Sequence, residues 1–238
     1  MKKLRLITLL FAASAWCANA ETAPYKLEVK DFNELKVTDG INVVYKCSND
    51  SAGMAFFECE PDFTRKLIFT NNKSRLQIQV DLNGEKVGNL PTIRVYSTML
   101  DKVENSGDST VRVSVPVAVS ELKAKVIGNG TLIVNDIRAH KVDASISTGN
   151  GHIVINGVTR RAKLSNVGTG VLEAAGLKAE DVKCNVVGTG SIDCNASERL
   201  TVVGAGSGKV FYGGTPEKIT NRSLGVKAVS VDTDTVVK

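Results

Sequence analysis

The side chains of this sequence best suited to chemistry are carboxylates and cations that recur in close pairs. Asp136 stands near Arg138, Arg160 beside Arg161, Glu180 beside Asp181, and Glu198 beside Arg199. Paired carboxylates, or a carboxylate with a cation, are what acid–base cleavage of a polysaccharide requires. The same groups also make an ordinary solvated stripe, which is the simpler reading. His140 and His152 lie twelve residues apart, without metal-ligand spacing, and read as solvated side chains. No Gly-x-Ser-x-Gly, His-Glu-x-x-His or phosphate-binding loop occurs. A calcium array needs Asp at a constant offset from each turn, but Ile133 and Val154 stand where Asp193 does. No metal and no cofactor is expected.

The cysteines are the other reactive set. Cys17 falls in a leader-like segment, leaving Cys47, Cys59, Cys184 and Cys194. An even count in an exported chain reads as disulfides, and local pairing, 47 with 59 and 184 with 194, closes the shortest loops. Zinc is the alternative, but widely spaced cysteines without a CxxC are poor ligands.

The leader itself has a basic start, Met1-Lys2-Lys3-Leu4-Arg5, then an apolar run from Leu6 to Trp16 and a small-x-small site at Ala18-Asn19-Ala20. This is the pattern of a signal peptide over residues 1–20, with the mature chain starting at Glu21. Lipidation at Cys17 is disfavoured by the bulky Trp16 beside it. The whole chain carries a formal +5, and the leader holds three of its cations, so the mature chain is near +2. Net charge therefore gives no reason to expect a nucleic-acid partner. No segment after the leader is apolar and long enough to cross a membrane.

What must position any of these groups is set by a glycine repeat. Gly107, Gly128, Gly149, Gly168, Gly188, Gly206 and Gly225 follow one another at gaps of 21, 21, 19, 20, 18 and 19 residues. A period near 20 is a repeat signature, half the length of a propeller blade. Four residues after each glycine stand Val111, Leu132, Ile153, Leu172, Ile192, Val210 and Val229. Six after stand Val113, Val134, Ile155, Ala174, Cys194, Tyr212 and Val231. Nine after, three coils have Ile137, Val158 and Leu177. Two apolar columns spaced by two, following a Gly-x-Gly turn, predict a short strand with one buried face. One such repeat cannot bury that face alone; stacked repeats can. The sequence thus predicts an all-β fold, a parallel β-solenoid of roughly 20-residue coils, with a sandwich as the rival. Seven coils at ~4.8 Å each would make a rod of roughly 34 Å. In it, Cys184 and Cys194 flank one corner and face inward.

Residues 21–100 are less regular and read as an N-terminal β region or cap, with 101–238 as the solenoid and the whole of 21–238 as one continuous domain. Tyr25 to Val37 is strand-like, Thr38-Asp39-Gly40 a turn, and Ile41 to Cys47 and Met54 to Glu60 two strands joined by a polar loop. Across that pair Cys47 and Cys59 would meet. Leu67 to Val80 reads as a hairpin turning at Asn71-Asn72-Lys73-Ser74. Phe56, Phe57, Phe63 and Phe69 cluster here, as core or cap rather than as a sugar platform.

The segment Phe32-Asn-Glu-Leu-Lys-Val-Thr-Asp-Gly-Ile-Asn-Val-Val-Tyr45 resembles the start of the GIN domain of autotransporter adhesin heads and exported bacterial proteins. Its triplet is Gly40-Ile41-Asn42, preceded by Asp39. Leu100-Asp-Lys-Val-Glu-Asn-Ser-Gly107 and Phe211-Tyr-Gly-Gly-Thr-Pro216 resemble the family's middle and end. The resemblance runs from about Phe32 to Val231. It implies an exported solenoid with an adhesive or envelope-scaffold role and brings no catalytic residues. No membrane barrel is read after the repeats, so periplasmic, envelope-associated or secreted placement is expected over self-display. The expected partner is a surface polymer or protein, a glycan or a matrix component, with self-association through the solenoid ends as a further possibility. A polysaccharide lyase or hydrolase on a β-helix is the alternative function.

Overall fold

The computed structural model describes residues 22–82, 84, 90–115 and 118–231. The leader read at 1–20, its cleavage site and Cys17 lie outside the described residues.

The chain folds as a parallel β-solenoid of about six turns. Its regular part begins at β10 (Val119–Ile127), using chain-order numbers throughout. Then come four long strands, β11 (Thr131–Ser147), β12 (His152–Gly168), β13 (Val171–Gly188) and β14 (Ser191–Gly206). Each bends around the coil, pairing in parallel with the one before it. The last coil is split into β15 (Lys209–Gly213), β16 (Lys218–Leu224) and β17 (Lys227–Ser230). The strand before each glycine corner forms one wall and the strand after it a second.

Alternation decides which residues point inward. In β10, Leu122, Ala124 and Val126 are buried while Lys123 and Lys125 face out. After the corners, Val111, Leu132, Ile153, Leu172, Ile192 and Val210 have no exposed surface. The column two residues on is buried from Val113 to Cys194. The third column departs from the expectation. Ile137 and Leu177 are buried, but Val158 is exposed, because Gly157 takes the slot between them. The register shifts there, between Val134 and Ile137 and between Val154 and Gly157.

At the corners, six of the seven glycines have φ between 76° and 133°; Gly107 is the exception. There the reason is space. A Cβ on Gly107 would lie 2.5 Å from the backbone nitrogen of Gly40.

The N-terminal region joins the same sheet, out of sequence order. β2 (Glu34–Val37) and β3 (Val43–Cys47) form one coil. On one side of it stack β6 (Arg75–Val80) and β7 (Ile93–Ser97). On the other stack β8 (Lys102–Asn105) and β9 (Thr110–Ser114), which lead into the repeats. The first coil is therefore slotted between two later ones. Antiparallel strands close the far end: β4 (Met54–Cys59) on β7, β1 (Ala23–Glu28) on β4, and β5 (Leu67–Asn72) on β6. A short 3-10 helix, Pro61–Lys66, links β4 to β5.

This order corrects two expectations. The stretch from Tyr25 to Val37 is two strands, with Lys30 between them at φ 55°. β3 and β4 do not pair; β7 lies between them, parallel to β3 and antiparallel to β4. Cys47 is opposite Ser97, whereas β4 runs from Met54 at Tyr96 toward Arg94 and beyond. That puts Cys59 some 20 Å from Cys47 along the strands at ~3.3 Å per residue. The two thiols are kept apart, and Cys47 instead donates to the carbonyl of Thr98 at 3.0 Å.

Candidate functional site

The family-like triplet is a structural joint. Asp39 and Gly40 form its turn at φ 62° and 81°, and Ile41 is fully buried. The Asn42 side-chain oxygen accepts the N–H of Thr110 at 2.9 Å, and its carbonyl accepts the N–H of Ile93 at 2.9 Å. Thr110 belongs to β9 and Ile93 to β7, so Asn42 ties the slotted coil to both neighbours. The amide oxygen supplies a side-chain acceptor that an aliphatic residue would lack.

The cysteines of the repeat face each other. Cys184 and Cys194 are free thiols, buried on opposite walls of one coil, with their sulfurs 3.9 Å apart. Mutual hydrogen bonding and burial raise the Cys184 pKa well above the ordinary thiol value. Cys59 is also a free thiol, pushed up to about 11 by burial and then by Glu60.

The charged stripe resolves into a broad sheet face, the outer surface of the wall before the corners. Parallel in-register pairing stacks like positions of successive coils into columns. One column reads Glu121, Lys141, Arg161, Asp181, Arg199, Lys218. The next reads Arg75, Glu34, Lys102, Lys123, Asp143, Lys163, Lys183 and then two threonines, Thr201 and Thr220. The third carries Lys36, Glu104, Lys125 and, at the far end, Arg222, with Ser145, Ser165 and Asn185 between. These columns hold twelve Lys or Arg and five Asp or Glu, a net of +7, more than the +5 of the entire sequence.

All five carboxylates are already neutralised. Glu121 pairs with Lys141 at 2.6 Å, Asp143 with Lys163 at 3.3 Å and Asp181 with Arg199 at 2.7 Å. Glu34 pairs with Arg75 at 2.7 Å and Glu104 with Lys36 at 3.1 Å. The hydrogen bond from Arg199 holds the Asp181 carboxyl below its usual range, and that from Lys141 does the same to Glu121. Among the described residues, seven cations on the face have no ion-pair partner: Lys102, Lys123, Lys125, Arg161, Lys183, Lys218 and Arg222. A groove of about 300 Å³ runs among Lys141, Arg161, Lys163, Asp181, Lys183 and Arg199, over Ala162 and Val182.

Of the residues nominated for acid–base work, Asp181, Arg161 and Arg199 meet at this groove. Glu180 pairs with Arg160 at 3.2 Å just outside it. Asp136 lies within β11 at φ 59°, at the register shift between Val134 and Ile137. His152 contacts Glu173 at 3.0 Å on the other wall. There Glu173 and Asp193 are register neighbours, and burial, then Glu173, raises the Asp193 carboxyl. Among the described residues no three His, Cys, Asp or Glu gather as a metal site.

The matching family model, described as "Putative auto-transporter adhesin, head GIN domain", spans residues 31–216. The chain belongs to the GIN-domain family. Membership marks this GIN domain as adhesin-like and as an exported or surface protein. Solved structures share its fold. A protein described as a putative adhesin from Bacteroides fragilis is 22% identical, covers 89% of this chain and 97% of its own, and superposes with a TM-score of 0.79. A putative lipid binding protein from Parabacteroides distasonis is 19% identical over 89% of this chain and 98% of its own, at 0.70. A putative adhesin from Parabacteroides merdae is 21% identical over 89% and 97%, at 0.65. No curated protein matches the chain. No helix among the described residues is long and apolar enough to cross a membrane.

Net charge concealed the basic face of the GIN domain, because its surplus of cations is offset elsewhere. The readable signal was local: Leu122-Lys-Ala-Lys-Val carries Lys at two alternating, outward positions, and Val182-Lys-Cys-Asn-Val, three coils on, repeats the first of them.

Proposed function

We propose that this GIN domain is a non-catalytic, exported binding module that holds a partner, a glycan or a matrix protein, at the cell envelope. It acts in the periplasm, at the outer envelope or after secretion. The observation that carries the reading is the set of seven unpaired cations on one continuous sheet face. A long parallel sheet offers many equivalent contacts in an open array, which suits attachment better than turnover.

The enzyme alternative fares worse on the same face. Glycoside cleavage needs one carboxylic acid kept protonated near neutral pH beside a second carboxylate. Asp181 and Glu121 are shifted the other way, toward ionisation, by their cationic partners, and the raised carboxyl that does stand beside a second carboxylate, Asp193 with Glu173, lies on the other wall, away from these cations.

The test is to incubate the purified exported protein with a panel of glycans and matrix proteins and to score retained ligand together with released fragments. Saturable retention without fragments is expected. New reducing ends or unsaturated sugars would overturn the reading.

A further inference from the structure

From the charge pattern of the wall before the corners, we infer that its ligand is a linear acidic polysaccharide lying along the solenoid axis; this rests on the binding-module reading. Three features specify that ligand.

The first is sign and direction. Lys102 stacks on Lys123, Lys163 on Lys183, and Lys141 on Arg161, each as in-register neighbours on adjacent strands. Adjacent strands are ~4.8 Å apart, and like charges at that spacing repel, which works against folding. Elsewhere in the columns, Arg199 on Lys218 apart, neighbouring charges alternate in sign, as on any solvated face, and these cation-on-cation steps are the departures from that pattern. Here the like-charged neighbours line up along the axis, which a polymer with an anion on successive sugars would bridge, relieving the repulsion.

The second is shape. Lys183, Arg161 and Arg199 stand around an open groove over Ala162 and Val182, where five cations meet one carboxylate. The exposed apolar side chains at the edge of this wall include Val167 and Val187, which are short and β-branched. Their column continues to Leu224, 79% exposed on the last coil, which confines long aliphatic reach to that end of the wall and leaves short valines over the middle coils. They suit the C–H faces of sugars.

The third is the absence of aromatic side chains among the outward positions of the three columns. Single-stranded nucleic acid is bound through stacking platforms as well as through phosphates. A polyanion held by charge and hydroxyl contacts alone requires none. Thr201, Ser165 and Asn185 provide the neutral hydrogen-bonding groups beside the cations.

The probes are polygalacturonate and heparin as carboxylated and sulfated polymers, dextran as a neutral one, single-stranded DNA, and phosphatidylglycerol vesicles. The full chain is tested with the double variant Arg161→Glu/Lys183→Glu and with the milder Lys123→Gln. Arg112→Glu, on the opposite wall, is the control. Arg161 lies in register beside Asp181 and helps lower its carboxyl, so the double variant should melt somewhat below the parent, while Lys183→Glu alone, between Lys163 and Thr201, should melt with it and carries the binding test if the double variant does not fold. Both acidic polymers are expected to bind saturably and dextran not at all. The double reversal should weaken binding roughly tenfold or more, and added salt should weaken the parent's. The control should bind as the parent does.

Acidic-polymer binding untouched by the double reversal would overturn the inference. So would tighter binding to vesicles or DNA than to either polysaccharide. Retention of dextran or a matrix protein without the acidic polymers would overturn it and leave the binding-module reading standing. Polymer cleavage would overturn that reading itself.

Discussion

The N-terminal region and the repeats build the same coil by opposite routes. From Val119 to Gly206 every coil stacks on its predecessor in sequence, and aliphatic residues fill most core slots, with Gly157, Asn166, Cys184 and Cys194 among the exceptions. In the N-terminal region the first coil waits for two later ones to close on both sides of it. Its packing is aromatic: Phe57 stacks on Tyr25 and Phe69 at 5.4 and 5.8 Å, and Phe32 meets Tyr45 edge-on at 6.2 Å. The ends differ as well. Antiparallel β1, β4 and β5 close the first, while β16 and β17 at the other have no outer partner among the described residues. A repeat can grow by adding neighbours; a slotted coil cannot, so it fixes where the stack begins.

The largest effect should come from emptying either core. Phe57→Ala in the N-terminal region is expected to cost about 3–5 kcal/mol and Leu164→Ala in the repeats about 2–5. β2–β8 and β3–β9 pairing makes the sheet continuous, so both variants should lower one shared unfolding transition. Urea unfolding followed by circular dichroism and by tyrosine fluorescence checks this. If Phe57→Ala splits the transition in two, the regions are separate folding units.

Next in size is the thiol pair. Under oxidising conditions Cys184 and Cys194 are expected to bridge, since 3.9 Å separates their sulfurs across the core. Cys47 and Cys59 are expected to stay unbridged. Closing so short a loop contributes about 3 kcal/mol on the chain-entropy estimate. Non-reducing peptide mapping identifies the bridge, and the fall in melting temperature on reduction measures it. A 47–59 bridge would mean that β3 and β4 are paired after all. In the reduced protein the buried thiols act in the opposite sense at high pH. Cys59 binds its proton more tightly folded than unfolded, so stability should fall as pH rises from about 9 through about 11.

The contrast explains what could be read from the sequence. Gly-x-Gly corners and the columns that run from Val111 and Val113 through Ile192 and Cys194 were legible because neighbours in space are neighbours at a fixed sequence interval. The slotting of β2 and β3 was not. Nothing local in Ile41 to Cys47 says that Ile93, some fifty residues on, will pair beside it, and a polar loop after Cys47 looks like a hairpin turn. Of the site, Arg161, Asp181 and Arg199 were visible as charges, yet their sum hid the face. Charge becomes a pattern only once the register places Lys163 beside Lys183. Asn42 was visible as part of a motif, but its purpose, bonding β9 and β7 at once, appears only with the slotted topology.

A finer comparison uses two buried asparagines. Asn105, at the junction, donates to the carbonyls of Ser109 and Thr131 at 2.8 and 3.0 Å and accepts the N–H of Gly107 at 3.2 Å. Asn166, within the repeats, donates to Gly170 and Ser191 at 2.7 and 2.9 Å, but its side-chain oxygen has no partner. Val126, Ile146 and Val186 fill the same slot in other coils. Replacing Asn166 with Val should therefore be tolerated better, since it also removes an unsatisfied acceptor. Asn105→Val is expected to cost about 1 kcal/mol more, the net worth of one further hydrogen bond. Equal losses in chemical denaturation would mean that the Gly107 contact contributes nothing.

The smallest effect separates the regions by acid. Burial works against ionisation of Glu104, but hydrogen bonds from Lys36 and Ser106 outweigh it and keep its carboxyl below the ordinary value. Asp181 is lowered by Arg199 at a more exposed site. Both carboxylates bind protons less tightly folded than unfolded. Their contribution is therefore complete above the unfolded carboxylate pKa near 4 and is lost as pH falls through the lower folded value. Lys36→Gln and Arg199→Gln should each destabilise at neutral pH, and each gap from the parent should close on acidification. The gap should be larger for Lys36, because the Glu104 side chain is only 13% exposed against 26% for Asp181 and solvent screens the latter pair more. Urea midpoints at pH 7 and pH 3 decide it. A gap for Lys36→Gln that persists at pH 3 would show that its aliphatic stem, packed on the sheet, does the stabilising rather than its charge.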